Sequence, residues 1–162
     1  MVFDAEVLEA IAKAPVQKRA ITALSVLNEA YDYARPSSFS RGMRIDLNGL
    51  AILLISGTAS IDESGRTVHV GDFRAQMRRT LQNITALLES EGATWHDIVR
   101  TTCYLRDIER DYAAFNEERT AFYKEQGLDP LPASTGIQAI LCRSDLLIEI
   151  EAIAMFRTEP RQ

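Results

Sequence analysis

The feature that most limits the fold of this chain is a hairpin written into residues 43–55. Met43, Ile45 and Leu47 alternate with Arg44 and Asp46, as in a half-buried strand. Asn48-Gly49 follows, the pair favoured in a two-residue turn because both central positions need positive φ. Leu50 to Ile55 is continuously apolar and reads as a buried return strand. Gly57 and then Asp62-Glu63-Ser64-Gly65 read as loop.

Behind the hairpin the periodicity changes from two to 3.6. From Asp72, Phe73, Met77, Leu81, Ile84 and Leu88 trace one helical stripe, with Gly92 suited to its C-terminal stop. Ile98 to Leu105 alternates as a strand. Asp111 is expected to open a second helix carrying Tyr112, Phe115, Phe122 and Tyr123, stopped by Gly127 and Pro130. Strands over 134–141 and 146–156 complete a ββ-α-β-α-ββ order. Each helix has one apolar stripe to bury, so the economical α+β packing is a mixed sheet with both helices on one face. The second face of such a sheet is apolar and open, and an assembly that covers it is expected.

Ahead of this core, Asp4 is placed to cap a short helix ending near Ala14. Pro15 suits the first turn of a second helix, with Ile21, Leu24, Leu27 and Tyr31 at helical spacing. The expected organisation is an N-terminal helical extension over 1–36, a domain over 37–157 and a tail over 158–162.

Composition narrows the function classes. The 162 residues carry a net charge of −5, which opposes phosphate, and Arg74, Arg78 and Arg79 read as the solvated face of a helix, so no nucleic-acid partner is expected. Two cysteines without Cys-x-x-Cys spacing and two isolated histidines give no metal site and no disulfide framework. With no basic-then-apolar leader and no apolar run near the roughly 20 residues of a membrane span, the expected location is cytoplasmic.

Chemistry concentrates in the last strand. Its periodicity puts Ile148, Ile150, Ala152 and Ala154 on one face, and Glu149 and Glu151 with Ile153 and Met155 on the other. Burying an unpaired charge costs several kcal/mol (roughly). These carboxylates therefore either pair with arginines across a subunit interface or include a general acid/base. Ser56-Gly57-Thr58 ends the buried strand, where a glycine admits close approach of a ligand. Cys103, in an apolar strand, reads as inert core.

These segments together resemble the Rid (YjgF-type) superfamily. Ile55-Ser56-Gly57-Thr58-Ala59 resembles its "SGQ/SGT" strand end, and Ile98 to Asp107 its "IVKTTVFLKD" strand. Phe115-Asn116 and Phe122 resemble its "FN..Y..FF" helix. Pro132-Ala133-Ser134-Thr135 and Ile148 to Ala154 resemble "PARS/PART" and "(I/V)EIEAIA". The resemblance covers about residues 39–155. It implies a chorismate-mutase-like subunit, a homotrimer with ligand clefts between subunits, a small-molecule substrate, and hydrolysis of reactive enamines and imines without metal or cofactor. Carried over residue by residue, its site implies Phe39 lining the pocket, Ser56 and the Gly57 backbone touching substrate, Asn116 as a polar contact and Glu149 as the water-activating or proton-moving group.

Ser134 departs from that pattern, because it stands where "PAR" has the arginine that clamps the substrate carboxylate. Losing a charge-assisted bidentate contact costs about 2–5 kcal/mol of binding, so ordinary 2-imino acids are expected to be poor substrates. Arg41 or Arg35 is one candidate replacement. The alternatives are different acid/base chemistry with Glu149, such as chorismatase-like hydrolysis or a biosynthetic step, and a non-catalytic small-ligand-binding trimer.

Overall fold

The structure, a computed structural model, describes residues 4–6, 9 and 16–158. Six strands form one sheet in the order β1-β2-β3-β6-β4-β5: β1 Gln17–Ala20, β2 Gly42–Leu47, β3 Leu50–Ala59, β4 Ile98–Leu105, β5 Ala133–Gln138 and β6 Ile148–Arg157. The β4–β5 pair is parallel and the others antiparallel, so the sheet is mixed, as expected. The β2–β3 turn has Asn48 at φ 47° and Gly49 at φ 79°, the conformation that favours this dipeptide.

Helix α1 (Phe73–Glu89) starts where Asp72 accepts the Ala75 N–H, and Gly92 ends the segment at φ 72°. Helix α2 (Ile108–Glu125) starts earlier than the sequence suggested. Asp107 caps it by accepting the Arg110 N–H, whereas Asp111 lies inside the first turn, buried and paired with Arg110. Met77, Ile84 and Leu88 of α1 and Phe115 of α2 join Ile148, Ile150, Ala152 and Ala154 in one core, which places both helices on the same sheet face.

The N-terminal expectation needs correction. Asp4 does accept the Glu6 N–H, but most of the first predicted helix lies outside the described residues. The second predicted helix is absent. Gln17–Ala20 instead pair antiparallel with β2, and the following residues run through turns to a 3-10 turn at Ala30–Asp32. Ile21 and Leu27 are fully buried in the core, while Leu24 (61% exposed) and Tyr31 (53%) face solvent, so the supposed helical stripe is split between two environments. Pairing satisfies the free backbone groups along the β2 edge, a tertiary gain that outweighs a weak helical pattern.

Away from the helices the β2–β3–β6 surface stays apolar. Leu54 aligns with Met43 and Ile153, and Ile52 with Ile45 and Met155. Leu47, Leu54 and Met155 are each at least 40% exposed there.

Candidate active site

The cleft on this open side is built around a defect in the ladder. Between Ile55, opposite Ala152, and Thr58, opposite Ile150, β3 carries one residue more than β6. The bulge is Ser56-Gly57, so Gly57 is strand rather than loop. The Ser56 N–H donates to the Arg41 carbonyl at 3.1 Å and its hydroxyl to the Ser40 carbonyl at 2.8 Å, fixing the bend. Glu149 lies against the bulge. A Cβ on Gly57 would overlap its Oε1 and come within 3.0 Å of its Cδ, so only glycine leaves the carboxylate this place.

Glu149 has no hydrogen-bond donor or cation in bonding range among the described residues. Burial, and secondarily the neighbouring Glu151 carboxylate, push its carboxyl above the ordinary 4.5. Glu151 accepts the Tyr104 hydroxyl at 3.1 Å. A part-buried carboxyl without stabilising donors, its proton held more tightly than usual, is suited to proton transfer.

The cleft has a volume of about 490 Å³ and brings together five of the seven predicted site residues: Phe39, Arg41, Ser56, Gly57 and Glu149. Arg41 is buried, at 4% exposure. Its Nε and Nη2 donate to the Asn28 carbonyl at 3.0 and 2.9 Å, Nη2 also to the Tyr33 hydroxyl, and its guanidinium lies over the Tyr33 and Phe39 rings. Arg41 thus braces the N-terminal segment against the cleft wall. Arg35 lines an adjoining crevice instead.

Sequence reasoning missed Tyr33, Cys142 and Arg143 as lining residues. Arg143 donates to the Gly65 carbonyl at 2.6 Å, a contact between distant loops that no local pattern signals. Cys103 is core, and burial raises its thiol pKa.

Asn116 and Ser134 lie elsewhere. Ser134 pairs with Thr101, which pairs in turn with the buried Ala152, so this side chain projects on the helix side of the sheet, opposite Glu149. There the Thr101 hydroxyl lies 3.1 Å from the Ser134 hydroxyl, and Arg119 bonds both Ser134 and Asn116. Among the described residues no group of three or more His, Cys, Asp or Glu is gathered to hold a metal, and no helix is long and apolar enough to cross a membrane.

The family model described as Endoribonuclease L-PSP matches residues 34–156, which take in β2 to β5, all but the last residue of β6, and the cleft lining apart from Tyr33. The chain belongs to that family. A RutC family protein of Haemophilus influenzae is 36% identical over 111 residues, 68% of this chain and 82% of that protein. A protein of Acinetobacter baylyi named 3-aminoacrylate deaminase RutC is 35% identical over 103 residues, 64% of this chain and 78% of its own. Among solved structures, the YjgF gene product of E. coli is 30% identical with a TM-score of 0.66, covering 86% of this chain and 99% of that one. The resemblance to Rid proteins and the α+β fold it implied are therefore correct.

Proposed function

We propose that this protein is a deaminase-type hydrolase of a reactive imine or enamine, or of a related unsaturated carboxylate, with Glu149 as its general acid/base. The observation that carries this reading is the Glu149 carboxyl, held without donors over the Gly57 bulge inside a cleft. The name of the Acinetobacter relative supplies the substrate class. Glu149 takes a proton from water as the water oxygen attacks the carbon of the protonated imine, giving a carbinolamine, and returns that proton to nitrogen. The C–N bond then breaks as the carbinolamine hydroxyl gives up its proton to solvent and becomes the carbonyl. The products are ammonia and a carbonyl compound. An enamine first takes a proton at carbon to become the imine.

The active unit in this reading is a homotrimer. One copy supplies Phe39, Ser56, Gly57 and Glu149, and its neighbour supplies the edge bearing Asn116 and Ser134, because one chain holds these groups on opposite sides of its sheet. The exposed apolar surface around Leu54 and Met155 gives the copies a reason to associate. The test is ammonia release from 2-aminoacrylate by Glu149→Gln, with particle mass measured in parallel. The expected result is a loss of about 10²- to 10⁴-fold with the trimer intact. Retained turnover removes Glu149 from the mechanism, and a monomer removes the shared cleft.

A further inference from the structure

We propose that Arg119 is the substrate-carboxylate clamp of this protein, acting from α2 beside the position where Ser134 has replaced an arginine. This rests on the reading of a small carboxylate substrate in a cleft shared between copies. Two departures from the family's motifs meet at one point in space. Position 134 has lost the arginine of "PAR", and position 119, where "FN..Y..FF" has tyrosine, has gained one. The Arg119 Nη1 donates to the Ser134 hydroxyl at 3.2 Å, so the guanidinium reaches the very side chain that lacks the charge.

The guanidinium is held in place without being neutralised. Its Nη2 donates to Asn116 Oδ1 at 2.6 Å, and its Cζ lies over the Phe115 ring, 4.5 Å from the centroid. Both hydrogen-bond partners are neutral, and no carboxylate of the described residues forms an ion pair with it. The nearby acids are engaged elsewhere: Glu118 with Arg74 and Arg78, and Glu117 with Arg74. Of the five N–H donors of a guanidinium, two are used here, leaving about three for a ligand. Lys124 adds positive charge to the same cleft of about 430 Å³, which Tyr123, Leu131 and Pro132 line with apolar surface. A charged fork fixed by neutral partners, one face on an aromatic ring, is the arrangement that binds a carboxylate bidentately. Ser134 and Asn116 become positioning residues for it. The β5 edge that carries Ser134 is exposed along its length and accessible to a second copy.

The test uses the full chain and two probes titrated by NMR: pyruvate, a 2-oxo acid, and pyruvamide, its neutral counterpart. The parent protein is expected to prefer pyruvate, and Arg119→Gln to weaken pyruvate roughly 30-fold or more while leaving pyruvamide unchanged. Arg119→Lys keeps the charge without the fork and should fall between. The double variant R119Q/S134R, which returns the guanidinium to strand β5, should restore pyruvate binding to within a few-fold. Equal binding of pyruvate and pyruvamide by the parent protein overturns the proposal, and so does undiminished pyruvate binding by Arg119→Gln. Failure of the acid/base reading shows separately, as retained ammonia release in Glu149→Gln.

Discussion

Two carboxylates at neighbouring points of the fold are treated in opposite ways. Asp62, in the turn just past β3, accepts the Ser64 and Arg66 N–H groups at 3.0 and 2.9 Å, the Ser64 hydroxyl at 2.7 Å and the Arg66 guanidinium. Burial pulls its carboxyl upward, but the Ser64 hydroxyl and the Arg66 backbone and side chain outweigh that and hold it at about 2. Glu149 is given none of these partners, and its carboxyl is pushed upward. Donors make Asp62 a permanent anion that organises a loop. Withholding donors leaves the Glu149 carboxylate without stabilisation, which costs folding free energy and suits the acid/base role proposed for it.

The sharpest way to break this contrast is Gly57→Ala. The three atoms nearest the new methyl all belong to the Glu149 side chain, so the carboxylate is displaced while the fold survives. Displacing a reacting group by about 1 Å costs roughly 10²-fold in rate, and a loss of that size in ammonia release with an unchanged circular dichroism spectrum is expected. Next comes Asp62→Asn, which should destabilise the protein by about 1–2 kcal/mol at neutral pH in urea unfolding. The Asp62 pKa is depressed on folding, so that difference is full above its ordinary 3.8 and fades as pH falls toward about 2.

The smallest effect should come from the stability of Glu149→Gln. The folded-state pKa of Glu149 is raised, so the parent protein loses stability as pH climbs from 4.5 through the elevated value. The variant should therefore melt higher than the parent at neutral pH and equally at pH 4. A lower melting point at neutral pH would mean that Glu149 is a structural anion after all.

The hairpin, α1 and the last strand were legible because each has a full set of local signals: alternation, a turn dipeptide, a cap. So was Glu149, because a carboxylate on an apolar strand is conspicuous whatever the fold. The N-terminal segment was not, since Ile21, Leu24, Leu27 and Tyr31 are spaced as on a helix, but Gln17–Ala20 pair with β2 and the turns that follow bury only Ile21 and Leu27. Arg41 looked free in sequence and is braced by a carbonyl that only the fold brings near. Arg119 carried no signal on its own, because arginine is unremarkable on a polar helix. It gains meaning once Ser134 lies beside it.

The extra residue in β3 also governs which changes of length the chain tolerates. Leu53 and Ile55 face the core before the bulge and Thr58 faces it afterwards, so the inward positions shift from odd to even numbers at Ser56-Gly57. Deleting either residue would restore unbroken alternation with Ile55 and Thr58 still facing the core, and would remove the bend against which the Glu149 carboxylate lies. The fold can keep its register after such a loss, whereas the site cannot keep its carboxylate in place.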